Sequence, residues 1–274
     1  MNTILVTGGS GHLGRDIVAR LAAQGHRVRI LARNPDPNTN PSVEWTRGDL
    51  ATGAGVEQAV AGVDTVVHAA THSPAAQRGA LRPGDFFGSP TDVDIEGTRR
   101  LQQAAGAAGV AHFLHISIVG VQRSRLPYSR VKAAAEDLVS AGSVPWSIVP
   151  ATGFYWLLGR MFDHMAHRRW WPLPSNLVMQ PCDASDFAEY VVECLGDGPG
   201  GRRDDFGGPQ ILTMVELARA YQAARGIHRR VLSLPMPGFA VRAAGPQTCP
   251  AGRQGPTTWN EWLHGEVAHR VDQR

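Results

Sequence analysis

A strand-like apolar run, Ile4-Leu5-Val6, is followed at once by Gly8, Gly9, Gly11 and Gly14, and then by a helical pattern over residues 13–24 that stops at Gly25. Glycines at the spacing Gly8-x-x-Gly11-x-x-Gly14 let the chain turn sharply out of a strand and let a ligand approach the backbone closely. The N–H groups of a helix start, with the helix dipole behind them, suit a pyrophosphate. The loop therefore predicts a strand–turn–helix unit that cradles a dinucleotide, and the next 130 or so residues repeat its rhythm. Strands are predicted at 3–6, 27–31, 43–46, 65–68, 112–116 and 146–149, with helices over 13–24, 56–61, 93–108 and 128–140. Alternation at this spacing means βαβ units: an α/β fold with a doubly wound, mostly parallel sheet.

Beyond residue 150 the rhythm changes. Gly and Pro become frequent, Trp156, Trp170 and Trp171 cluster, and the elements shorten to helices over 183–195 and 214–224 and a strand over 230–234. The chain divides into a dinucleotide-binding core at 1–150, a small substrate-covering subdomain at 151–264 and a polar tail at 265–274.

Composition removes several classes of function. A net charge of +3 with scattered Lys and Arg gives no basic stripe for nucleic acid. Cys182, Cys194 and Cys249 are odd in number and lack CxxC spacing, which disfavours disulfides and structural zinc. His164 and His167, beside Asp163, lack a ligand pattern and read as a solvated helix face, so no metal is expected. No leader-like N-terminus and no span of ~20 apolar residues is present, so a cytoplasmic protein without a membrane partner is expected, monomeric or homodimeric.

The end of the second predicted strand reads Leu31-Ala32-Arg33-Asn34, with no carboxylate. An acid there accepts from the ribose 2′-OH of NAD, whereas arginine pairs with the 2′-phosphate of NADP. Arg33 points to NADP.

Thr7-Gly8-Gly9-Ser10-Gly11-His12-Leu13-Gly14, Gly48-Asp49-Leu50, His68-Ala69-Ala70, Asp94-Ile-Glu-Gly97-Thr98-Arg-Arg-Leu101, Tyr128-Ser-Arg-Val-Lys132 and Asp183-Ala-Ser-Asp186 together resemble the short-chain dehydrogenases/reductases. More closely, the chain looks like their atypical, NmrA-like NAD(P)-binding branch. The resemblance implies a Rossmann fold, with Gly8, Gly11, His12, Leu13 and Gly14 on the pyrophosphate. It sets Asp49 and Leu50 beside the adenine, and Ala69 and Ala70 along the cofactor.

Tyr128 and Lys132 stand at i and i+4 and project from one helix face. An ammonium beside a phenol favours phenolate, so this pairing is expected to lower the tyrosine pKa from ~10. The phenol then exchanges a proton with a substrate oxygen, and the lysine also anchors the nicotinamide ribose. Ser117, at the end of the fifth strand, is the candidate third member, although relatives often carry the hydroxyl a residue or two later, where this chain has Ile118 and Val119. His68 and His115 are read as satisfied structural histidines and Cys182 as inert. Two aromatic-rich segments should cover the nicotinamide, one carrying Phe86 and Phe87 and the other Phe154, Tyr155 and Trp156. Arg160, Arg168 and Arg169 are expected to face solvent.

The expected function is NADPH-dependent reduction of a carbonyl, alcohol or enone on an apolar, cyclic or aromatic metabolite rather than a nucleotide sugar. Two alternatives stand beside it: a redox-neutral isomerase or dehydratase on the same fold, and a non-catalytic NmrA-like NADP sensor.

Overall fold

The computed structural model describes residues 1–35, 42–71 and 91–272. Phe86 and Phe87 lie outside them. The first half of the chain gives β1 (Thr3–Thr7), α1 (His12–Ala23), β2 (Arg27–Ala32), β3 (Val43–Arg47), α2 (Val56–Val60) and β4 (Thr65–His68). A π-helical turn (Asp92–Gly97) then runs into α3 (Thr98–Ala107), followed by β5 (His112–Ile118), α4 (Pro127–Ser140) and β6 (Trp146–Ala151). The six predicted strands are therefore present, most of them extended by one or two residues at the carboxyl end.

Among the described residues these strands belong to a nine-stranded sheet in which β6, β5, β4, β1, β2 and β3 lie side by side. Every pairing between them is parallel. Strands such as Ile4–Thr7 and Thr65–His68 are buried on both faces, as central strands of a parallel sheet are. One face of the sheet packs Ile17, Val18 and Leu21 of α1 with Phe187 and Val191. The other packs Val56, Leu101 and Val139 from α2, α3 and α4. The strand order reverses between β1 and β4, and the register brings Thr7, Leu31 and His68 to the same level. In open α/β sheets ligands settle in the crevice beyond the carboxyl ends at such a switch point.

The second half contributes α5 (Tyr155–Met165), β7 (Trp170–Pro174), β8 (Val178–Met179), α6 (Ala184–Gly196), β9 (Gly201–Arg202), β10 (Phe206–Gly207) and β11 (Leu212–Thr213). Then come α7 (Met214–Arg225), β12 (Arg230–Leu234), α8 (Gly238–Ala244), β13 (Arg253–Gln254) and α9 (Trp259–Asp272). Strands β9, β10 and β13 return to the edge of the main sheet beyond β6. The aromatic cluster forms a separate core: Phe162 stacks on Trp171 at 5.5 Å, with Tyr155, Tyr221 and Trp259 around them. Helix α7 starts at a reciprocal cap in which Thr213 and Glu216 exchange hydrogen bonds. Helix α9 carries helical backbone through residues read from sequence as a polar tail.

Candidate functional site

The glycine loop is built for close approach. Gly8 has φ +75°, and a Cβ there would lie 2.7 Å from the Ala70 nitrogen. A Cβ on Gly14 would lie 2.1 Å from the Gly8 carbonyl oxygen, which already accepts from the Gly11 N–H at 2.9 Å. The loop is thus pressed between β4 and α1, and it borders a cleft of about 780 Å³. Gly8, Gly11, His12, Leu13 and Gly14 form its floor, with Ala69 and Ala70 beside them. Arg33 and Asn34, exposed at the end of β2, and Asp49 and Leu50 form one end. Tyr128, Lys132 and Ser117 reach it from the other side, where Ile118, Phe154, Trp156 and Leu157 complete an apolar wall. A hollow with glycines where a side chain could not fit, helix N–H groups below and a cation at the adenosine end suits a nicotinamide dinucleotide.

A family described as NAD(P)H-binding matches residues 8–156. The chain belongs to that family. A divinyl chlorophyllide a 8-vinyl-reductase from Oryza sativa is 28% identical over 254 residues, covering 85% of this chain and 61% of the relative. This chain thus spans about three-fifths of that protein's length. A (4-alkanoyl-5-oxo-2,5-dihydrofuran-3-yl)methyl phosphate reductase from Streptomyces griseus is 31% identical over 223 residues, 78% of this chain and 70% of the relative. The solved complex of MoeE5 with UDP-glucose and NAD superposes with a TM-score of 0.78 over 99% of this chain and 100% of that one. At 18% identity that likeness is one of fold. The Rossmann fold and the short-chain dehydrogenase/reductase resemblance, with its NmrA-like relatives, are borne out, and a nicotinamide cofactor follows from membership of this NAD(P)H-binding family.

Within the family's cleft, α4 holds the tyrosine and lysine. Pro127 occupies the first turn of α4, where its missing N–H costs nothing, and sets Tyr128 at the cleft mouth. The Lys132 Nζ lies 5.5 Å from the centre of the Tyr128 ring. The ammonium does not stand free beside the phenol, however. It is buried and paired with Asp94 Oδ1 at 2.5 Å, and it also donates to the Thr71 hydroxyl. Burial pushes the Tyr128 pKa up; Lys132 pulls it down and Asp94 pushes it up, and the net displacement is upward. This reverses the expectation of a lowered phenol pKa. Spacing on one helix revealed the lysine but not the carboxylate that faces it from another.

Ser117 is present at the strand end, but its hydroxyl donates to Glu136 Oε1 at 2.5 Å. Glu136 is buried on α4, where it also accepts from Gln122 and Arg202. A hydroxyl has one proton to give, and in this arrangement Ser117 gives it away from the cleft. Tyr155 does not line the cleft: its ring is buried against Trp259 and its hydroxyl donates to the Thr257 carbonyl at 3.0 Å. Consecutive side chains at a helix start point different ways, so the immediate neighbours Phe154 and Trp156 line the cleft while Tyr155 turns into the C-terminal core.

His12 stacks on Trp156 at 4.4 Å, joining the glycine loop to α5. His68 is a satisfied structural histidine, bonded to Thr7 at 2.7 Å and Thr98 at 2.9 Å, and burial lowers its pKa to about 4. His115 is not: among the described residues neither of its ring nitrogens has a hydrogen-bond partner. Burial pushes the Cys182 thiol up, in keeping with an inert side chain. Arg160, Arg168 and Arg169 are exposed. No described helix is long and apolar enough to cross a membrane. The residues to which the sequence assigns no site role are Asp94, Thr71 and Glu136. The available signal was Lys132 itself, since a lysine buried in a helix demands a counter-charge.

Proposed function

We propose that this protein is an NADPH-dependent oxidoreductase that reduces an apolar small molecule, cyclic or aromatic in character. The observation that carries the reading is the meeting, in one cleft, of a glycine cradle, Arg33 at the adenosine end and Tyr128 beside an apolar wall. A nicotinamide held in this cleft would supply a hydride to a carbonyl or conjugated carbon of the substrate. Tyr128, kept protonated by its surroundings, gives the matching proton to the substrate oxygen and is reprotonated from solvent. Lys132 presents ammonium hydrogens at the point where a ribose would lie against α4, with the Thr71 hydroxyl oxygen beside it. Gly8, Gly11 and Gly14 let the phosphates approach the backbone, while Asp49, Leu50, Ala69 and Ala70 line the adenosine and central stretch. Phe154 and Trp156, with Ile118 and Leu157, exclude water from the reacting carbon, and burying a ring against them contributes about 25 cal/mol per Å². In this reading residues 1–150 bind the dinucleotide and 151–264 cover the substrate.

Two relatives are named as reductases, one of a vinyl group and one of an alkanoyl dihydrofuran, which favours reduction of conjugated systems. The commitment of the Ser117 proton to Glu136 favours a second reading, a non-catalytic NADP sensor, because the site then lacks a hydroxyl donor beside the phenol. Turnover separates the two. NADPH oxidation is measured with a panel of hydrophobic enones, ketones and quinones and, in parallel, UDP-sugars. Wild type should turn over members of the first group, and Tyr128→Phe should lose at least a hundredfold in kcat with cofactor affinity nearly unchanged. Turnover of UDP-sugars alone, or full activity in Tyr128→Phe, overturns the reading.

A further inference from the structure

Asp94 is a carboxylate that the glycine loop and the tyrosine–lysine pair do not by themselves explain. It is 3% exposed and lies in the π-helical turn Asp92–Gly97, ahead of α3. Such turns widen the backbone by one residue and recur at functional sites. Here the widened turn delivers Asp94 Oδ1 to the end of Lys132, at 2.5 Å, while the Thr71 hydroxyl donates to the same oxygen at 2.8 Å. Gly97 closes the turn against Leu50, whose Cβ leaves no room for another. The carboxylate, ammonium and hydroxyl make a compact group whose ammonium lies 5.5 Å from the centre of the Tyr128 ring.

Among the described residues, the titratable groups that face this cluster from the neighbouring elements are few. From β4 comes His68, held by Thr7 and Thr98 and neutral through burial. From β5 comes His115, also kept neutral by burial. Glu136 of α4 is engaged by Ser117, Gln122 and Arg202. Among the described residues, the charges that bear on Tyr128 are those of Lys132 and Asp94. An ion pair this close acts on a third group as a dipole, whose pull falls off faster with distance than that of a lone ammonium.

We propose that Asp94 is a positioning residue: by binding the Lys132 ammonium it cancels the charge that would draw the proton off Tyr128, and it commits the site to giving a proton rather than taking one. This rests on the reading of Tyr128 as the acid–base group and gives it a direction, toward reduction. An alcohol dehydrogenase working near neutrality needs the opposite, a tyrosine ready to accept.

The test needs neither cofactor nor substrate. Full-length protein is labelled with ¹³C at the tyrosine ring carbon bearing oxygen, and its four tyrosine signals are followed by NMR as pH rises, with Tyr128→Phe assigning the relevant one. In wild type Tyr128 should remain un-ionised up to pH ~10, the midpoint of an unperturbed phenol. Asp94→Asn should lower its midpoint by about one unit or more, a tenfold gain in phenolate at a given pH, and Asp94→Glu should restore most of the wild-type value. An unmoved midpoint in Asp94→Asn overturns the proposal. So does a wild-type midpoint below that of free tyrosine, which decides the matter even if Asp94→Asn does not fold. Loss of the reductase reading would appear separately, as unaltered turnover in Tyr128→Phe.

Discussion

Arg33 is exposed at the carboxyl end of β2, beside a cleft end where Asp49 already accepts from the Ala51 N–H at 3.0 Å. A guanidinium placed there gains a charge-assisted contact with a 2′-phosphate and nothing from a 2′-hydroxyl. Such contacts contribute about 1.5–3 kcal/mol, or roughly ten- to a hundredfold in affinity. Calorimetric titration should therefore find NADPH bound more tightly than NADH by that factor in wild type and about equally in Arg33→Ala. Equal affinities in wild type would end the assignment. Ser117 poses the contrary case. Removing its hydroxyl leaves Glu136 with Gln122 and Arg202 but one donor short in a buried place. Ser117→Ala should cost about 1–3 kcal/mol of stability in denaturant unfolding, while turnover changes less than tenfold. A hundredfold loss of turnover at unchanged stability would instead make Ser117 part of the chemistry.

At the scale of elements, what could be read from sequence follows the length of each pattern. Strands β1 to β6 are legible because short β-rich runs, punctuated by Gly25, Gly48, Gly62 and Gly109, leave few alternatives. Helix α4 is legible from Pro127 at its start and its apolar spacing. The two-residue strands β8, β9, β10, β11 and β13 carry no period at all; they exist because neighbouring backbone offers a partner, which no local window records. Helix α5 was read only as an aromatic segment over the cofactor, since Tyr155, Leu158 and Phe162 mark a buried stripe that is equally consistent with a wall of a binding site. The π turn at Asp92–Gly97 is invisible for a different reason: one added residue per turn scarcely alters apolar spacing over six positions. Its consequence is large, because it sets Asp94 against Lys132. The cradle was thus legible, and so were the tyrosine and lysine on one helix. What the sequence withheld was the partner that each reactive side chain meets across elements: Asp94 for Lys132, Glu136 for Ser117, Trp259 for Tyr155.

At the scale of the whole molecule, the central sheet carries three histidines that folding keeps uncharged. His68, His112 and His115 are 1%, 4% and 5% exposed, so solvent does little to soften the effect. Burial lowers His68 and His112 to about 4, the second helped by Arg203, and it lowers His115 with contributions from His68 and Lys132. In the unfolded chain each takes a proton as pH falls through ~6.5. Between that value and about 4 the unfolded state therefore binds more protons than the folded one, and stability must fall as pH falls. Each histidine adds a slope of ~1.4 kcal/mol per pH unit, so the three together approach ~4 kcal/mol per unit near pH ~5. Asp16 and Asp183, whose carboxyls burial pushes up, take protons in the folded state and make the net slope somewhat shallower. Against a total of about 5–15 kcal/mol for an ordinary domain, this is enough to unfold the protein at mildly acid pH. Unfolding in denaturant at a series of pH values should show full stability near neutrality and a steep loss from pH ~6 downward. His115→Phe, which removes two buried nitrogens that have no partner among the described residues, should reduce that slope by about a third and raise stability at pH ~5. A wild-type stability flat between pH ~6.5 and ~5, or a His115→Phe slope equal to wild type, would show that these histidines do not set the acid limit of the fold.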